Sequence, residues 1–239
     1  MNSRCIILPE IGKIRITKRI NCKRLSISIN NNRIVKVSIP LRSNFSDGER
    51  FLFEKIDWIK HNIQKMETFK KKPLIIDENT LFSTRSRKLL LIKSNCNNIY
   101  LKLTSSEIQI HFPSNTEIIS TYSQNSIKAL INNAMRIEAN EYLPGRVEQL
   151  ANKHGYKYNS VKIRNSKTRW GSCSGMNNIN LSLYLVRLPD FLSDYVILHE
   201  LVHTVCKNHG SMFWCAMEKV VENAKEKSKQ LKKIGLVEI

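Results

Sequence analysis

Residues 199–214, HELVHTVCKNHGSMFW, hold three of the chain's six histidines around a single glutamate. Residues four apart on a helix lie on one face, so His199 and His203 stack one turn apart and can share one metal ion. Glu200 is rotated about 100° from His199 and about 60° from His203 at the helical period. That places it beside an ion rather than on it, the position of a general base acting on a metal-bound water. Asn208 and Gly210 are stop signals; if the helix ends there, the chain can turn back and His209 can reach the same ion. Three histidines leave a fourth position open, the pattern of a catalytic rather than a structural zinc, one ion per chain. Co²⁺, Ni²⁺ or Mn²⁺ would also be accepted by such a donor set. The spacing H-E-x-x-H-x5-H is that of the metzincins, but Cys206 stands where they carry glycine and no Met-turn follows, so that assignment is rejected. The competing reading is a helix that merely displays His and Glu to solvent.

The element carrying these residues is expected as a helix over 193–207. Ser193 is its N-cap, Asp194 lies in the first turn where the macrodipole favours a negative charge, and Ile197, Leu198, Leu201, Val202 and Val205 form its core side. A hairpin precedes it: one arm through KTRWGSCS, a turn at 175–178, and a second arm over 178–186 that is either an edge strand beside the site or an inner strand. Within the first arm Trp170 and Cys173 are read as core. Gly171 is read as permitting close backbone approach. A final helix over 211–233 follows, with Phe213 and Trp214 as the anchor that holds His209. Cys206 is a weak candidate for a redox or inhibitory ligand. Arg169 and Tyr195 are candidates for stabilising an oxyanion.

Upstream, alternating residues over 12–40 predict a β-meander ending at Pro40. A helix is predicted over 47–71, with Ser46 as N-cap and Glu49 completing a capping box. Short strands are expected over 73–113, then a helix over 122–153 kinked or broken at Pro144-Gly145. The order of elements makes the chain α+β. It divides into a β-rich basic N-terminal region, 1–121, and a region 122–239 that carries the chemistry.

The 239 residues contain no apolar run of about 18, which excludes a membrane-spanning helix. The short run Cys5-Ile6-Ile7-Leu8 is not a signal-peptide core, and six scattered cysteines form no C-x-x-C pair, so a reducing, cytoplasmic setting is expected. The net charge of +19 is uneven: residues 1–129 hold 23 Lys+Arg against 10 Asp+Glu, and residues 130–239 hold 16 against 10. A basic half attracts nucleic acid or acidic partners, although solvated strand faces also look like this.

The blocks KTRWGSCS at 167–174, INLSLYLV at 179–186, DYVILHELVH at 194–203 and NHGSMFW at 208–214 resemble the YgjP-like metallopeptidase family, which is related to SprT-like and WLM zincins. RLSISINNNRIVKVSIP and DWIKHNIQKM are similar to its N-terminal part. The resemblance implies a zincin-type domain with the HExxH helix beside a small sheet. It also implies zinc on His199, His203 and His209, with Glu200 as general base. Ser182 and Gly210 depart from residues common in the family, and neither is a proposed ligand.

The leading function is therefore a zinc metallopeptidase acting on protein or peptide. The alternatives are a nucleic-acid-associated protein docking through its basic N-terminal half, or a zinc-stabilised module without catalysis.

Overall fold

Alternation of apolar and polar residues makes the first forty positions into strands β1 (Ser3–Leu8), β2 (Gly12–Arg19), β3 (Ser26–Ile29) and β4 (Val35–Pro40). The computed structural model describes residues 3–30, 34–68 and 75–235. The strands are not a meander. Their order is β1-β2-β4-β3, with β2 and β4 parallel and β3 antiparallel to β4 at the edge. One sheet face buries Ile14, Ile16, Val35, Val37 and Ile39 against Leu52 and Ile59 of two helices, α1 (Phe45–Glu54) and α2 (Ile56–Thr68). The expected single helix over 47–71 is thus two helices separated at Lys55; residues 69–71 lie outside the described part. Asn44, not Ser46, is the N-cap, and its backbone N–H donates to Asp47 Oδ2 at 2.9 Å. Gly48 lets α1 lie close on the sheet, because a Cβ there would stand 3.0 Å from methyls of Ile16 and Ile39.

The chain forms two units, Met1–Leu74 and Ile75–Ile239. The boundary expected near residue 121 lies instead at 74/75. The reason is burial: strands β5 (Lys88–Ser94), β6 (Tyr100–Leu103) and β7 (Glu107–Pro113) send Leu89, Ile108 and Ile110 into the same core as Ile127, Ile131 and Met135. Those last three belong to α3 (Thr121–His154), capped by Ser120, whose hydroxyl accepts from Ser123 N–H at 3.2 Å, and ended by Gly155 at φ 73°. Pro144 removes one helical hydrogen bond but does not break α3. The flanking Leu143 and Val147 are fully buried and hold the helix through that point.

A second small sheet follows: β8 (Ser160–Arg164), β9 (Gly171–Cys173) and β10 (Asn178–Ser182), in the order β8-β10-β9. The expected long hairpin arms are shorter than predicted, and residues 183–187 wind into a 3₁₀ turn, Leu183–Arg187. Helix α4 (Asp190–Val202) packs against α3 and β9. Asp194 does not serve as a first-turn charge; it accepts a bidentate pair from Arg146 of α3, at 2.8 and 2.5 Å. The last segment is two helices, α5 (Ser211–Val220) and α6 (Ala224–Ile234), divided at Asn223, which adopts φ 54°. Among the described residues no helix is long and apolar enough to cross a membrane.

Candidate metal centre

Helix α4 starts after Pro189 and ends at Val202, five residues earlier than its sequence suggests. Val205, expected in the core, is 65% exposed because it lies past this end. His199 and Glu200 occupy the last turn. His203 is the first residue beyond it and keeps helical geometry at φ −64°, ψ −14°, with its N–H on His199 O at 3.2 Å. The chain then turns: Thr204 N–H and hydroxyl both reach Leu201 O, and Cys206 N–H reaches Val202 O at 2.8 Å. Lys207 ties this turn to the β9–β10 connection through Ser174 O and Asn177 Oδ1, at 3.2 and 2.5 Å. The reversal brings His209 back over the helix end.

His209 Nε2 lies 3.0 Å from His199 Nε2 and 3.2 Å from His203 Nε2. Zinc–imidazole bonds of about 2.0–2.1 Å at tetrahedral angles put ligand nitrogens about 3.3 Å apart, so this convergence fits one such ion. The tautomer fits as well. His203 Nδ1 is 2.9 Å from Cys206 O, which can only accept, so Nδ1 carries the proton and Nε2 keeps its lone pair. Burial, then repulsion from His203 and His209, pushes His199 down to about 3, so it stays the neutral imidazole that a metal requires. His203 is pushed down too, by burial first. Among the described residues these three are the group of potential metal ligands that converges in this way.

Glu200 is 5% exposed, and its Oε2 has no hydrogen-bond partner among the described residues. Burial pushes its carboxyl up to about 8, with the charge of Arg169 opposing. It lies directly against β9. A Cβ on Gly171 would stand 2.6 Å from Glu200 Oε1 and 2.7 Å from its Cγ, so only glycine leaves room for this carboxylate.

The YgjP-like metallopeptidase domain matches residues 23–234. The chain belongs to the YgjP-like metallopeptidase family. No curated protein matches it. Two solved structures are similar to part of it. The metallopeptidase zymogen abylysin of Pyrococcus abyssi shares 28% identity over 39% of this chain and 98% of its own, with a TM-score of 0.34. The zymogen jannalysin of Methanocaldococcus jannaschii shares 25% over 38% of this chain and 92% of its own, also at 0.34.

In this YgjP-like chain the imidazoles rest on one aromatic ring. Phe213 of α5 is fully buried, with its centroid 4.8, 4.6 and 4.7 Å from the rings of His199, His203 and His209. The sequence placed Phe213 as an anchor for His209 alone; its four-residue spacing from His209 was the available signal. A cleft of about 390 Å³ opens beside His199 and Glu200, and Arg169, Trp170, Tyr195 and Leu231 also line it. Both oxyanion candidates, Arg169 and Tyr195, are therefore in the cleft, and burial pushes the Tyr195 phenol up. Burial likewise pushes the Cys173 thiol up, opposite to what a nucleophile needs. Cys206 contributes its carbonyl, not its sulfur.

The inner strand of the small sheet is β10, so the arm over 178–186 is not an edge. The edge beside α4 is β9.

Proposed function

We propose that the chain is a zinc-dependent peptidase, one zinc per chain on His199, His203 and His209, with Glu200 as general base. The observation that supports it most is a single juxtaposition: His209 Nε2 at 3.0 and 3.2 Å from the Nε2 atoms of His199 and His203, with a buried, unpartnered carboxylate oxygen of Glu200 on the same helix turn. A bound zinc supplies Lewis acidity toward the substrate carbonyl and makes water acidic enough to attack at neutral pH. Glu200 accepts the proton of the attacking water and returns it to the leaving amine. Its burial makes it a stronger base than an exposed glutamate, and a nearby cation keeps it ionised. Arg169 and Tyr195 line the space where charge develops on the substrate oxygen.

Substrate entry uses β9. Ser174 N–H donates to Asn178 O and Ser182 N–H to Trp170 O. By antiparallel alternation Ser172 faces β10, and the backbone groups of Gly171 and Cys173 face away from it. An extended peptide can pair with that edge.

Untagged wild type, Glu200→Gln and His209→Ala are compared by elemental mass spectrometry and by cleavage of denatured-protein substrates. About one zinc in wild type and in Glu200→Gln, turnover in wild type alone, and lost or weakened zinc in His209→Ala are expected. Turnover retained in Glu200→Gln removes its role. Zinc without turnover in the wild type leaves the non-catalytic module. All six cysteines are unpaired, which supports a cytoplasmic setting.

A second reading is favoured by charge placement in the N-terminal unit. Residues 1–74 hold 17 Lys+Arg against 6 Asp+Glu. The sheet face away from α1 and α2 exposes Lys13, Arg15, Arg19 and Lys36, none of them ion-paired among the described residues. Arg15 and Lys36 are direct cross-strand partners, a like-charge contact that an external polyanion relieves. On this reading the unit docks on nucleic acid and the zincin half acts on proteins bound there. A gel shift with the full chain is expected to weaken steeply with salt and with Lys36→Gln; no binding at low salt removes the reading.

A further inference from the structure

Strands β8 and β10 alternate so that Ile163, Ile179 and Leu181 face the core. The opposite face carries Lys162, Arg164, Asn180 and Ser172, with Asn180 paired to Lys162 on one side and to Ser172 on the other. Between that face and the loop before β9 lies a concavity of about 260 Å³, lined by Arg164, Ser166, Arg169, Ser172, Asn180 and Ser182 among others. Ser182 Oγ donates to Ser166 O at 3.0 Å and pins the loop to the strand. Arg164 Nε donates to Asn180 Oδ1 at 3.2 Å, which fixes the guanidinium at the wall and leaves its terminal nitrogens for another acceptor. No acidic residue lines this space, and neither arginine has a carboxylate within ion-pair distance among the described residues. Two guanidinium groups beside hydroxyls and an amide offer many donors and lack a charged acceptor. Arg169 and Gly171 also line the cleft that holds His199 and Glu200, so the two spaces share a wall.

We propose that this concavity is a carboxylate-binding subsite that takes an acidic group of the peptide while the bond to be cleaved lies at Glu200. Arginine is suited to this because its planar fork meets both oxygens of a carboxylate at once. The carboxylate has two possible sources, an Asp or Glu side chain or the peptide's C-terminus. The link to cleavage rests on the peptidase reading above; the binding itself does not.

The test is calorimetric titration of zinc-loaded Glu200→Gln with three N-acetylated dipeptides. One is Ala-Glu amide, one is Ala-Ala with a free carboxylate, and one is Ala-Gln amide. At least one charged peptide is expected to bind about tenfold tighter than the neutral one, the scale of a charge-assisted hydrogen bond, and which one does so names the source. Adding Arg164→Gln is expected to erase that preference and leave the neutral peptide's affinity and the thermal midpoint unchanged. Should that variant fail to fold, Ser172→Asp, which places a carboxylate in the concavity, is expected to erase it as well. Equal binding of all three peptides overturns the subsite, as does a preference that survives Arg164→Gln. In the otherwise unmodified enzyme, Arg164→Gln raises KM for acidic peptides and leaves kcat. Carboxylate binding with no cleavage of any peptide keeps the subsite and removes the peptidase reading. Cleavage with no acidic preference keeps the peptidase and overturns the subsite.

Discussion

A single hydrogen at the α-carbon of Gly171 decides where Glu200 sits. An alanine methyl there would meet not only the mobile carboxylate oxygen but Cγ and Cδ, at 2.7 and 2.9 Å, so the whole side chain must move. Gly171→Ala is therefore expected to retain zinc and lower kcat/KM about a hundredfold, the cost of an ångström-scale misplacement. Zinc content and turnover measured on one sample check it, and full activity would mean that Glu200 shifts freely. The residue scale was also where the sequence spoke most clearly. The i, i+4 spacing of His199 and His203 and the helix stop after them already suggested three histidines on one ion. The proton on His203 Nδ1 was not legible, because it depends on Cys206 O, a backbone atom whose direction is set by the turn.

At the scale of elements, α4 is placed by contacts that no local pattern announces. Its N-terminal half is clamped to α3 by Asp194 and Arg146, and its C-terminal turn lies on Phe213 of α5. A comparable tie joins α3 to the turn before β5. Glu138, 2% exposed, accepts from Thr84 hydroxyl at 2.6 Å and Ser86 N–H at 2.9 Å, and pairs with Arg87 at 3.4 Å. Glu138→Ala would take the shared acceptor from the Thr84 hydroxyl and the Ser86 N–H and one of two carboxylates from Arg87, which keeps Glu141, so a loss of about 2 kcal/mol is expected. Urea unfolding of the metal-free protein measures it; a loss under about 1 kcal/mol would show that water replaces the carboxylate. The sequence gives no hint of this role, since one glutamate amid apolar helix positions reads as solvent-facing. The splits of the first and last helices were hidden for a related reason. Lys55 and Asn223 are compatible with helix, and packing of the flanking segments breaks the run there.

For the whole molecule, two separate cores imply two unfolding events. Ile14, Ile16, Val35, Val37, Ile39, Leu52 and Ile59 form one core, and the larger cluster around α3 and α4 forms the other. Calorimetry of the full chain is expected to show two transitions. Zinc should raise only the one belonging to residues 75–239, by about 2.7 kcal/mol at a hundredfold excess over Kd. A single transition shifted as a whole would mean that the units unfold together. The three sheets share one plan: β2-β4-β3, β5-β7-β6 and β8-β10-β9 each place the third strand in the middle, parallel to the first and antiparallel to the second. That plan is why the meander failed and why, of the two positions open to 178–186, the strand there is the inner one. Strand pattern records which residues face a core, and it does not record which strand becomes a neighbour.

The sequence by itself determined what was periodic or local: an α+β chain and the HExxH turn with a third histidine beyond it. It did so because helical spacing and helix-stop residues act over a few residues. Only the tertiary structure decided the 74/75 boundary, the early end of α4, the ring of Phe213 under three imidazoles and the arginine-lined hollow behind β9. Each of these joins residues far apart in the chain, where burial and pairing between elements outweigh local preference.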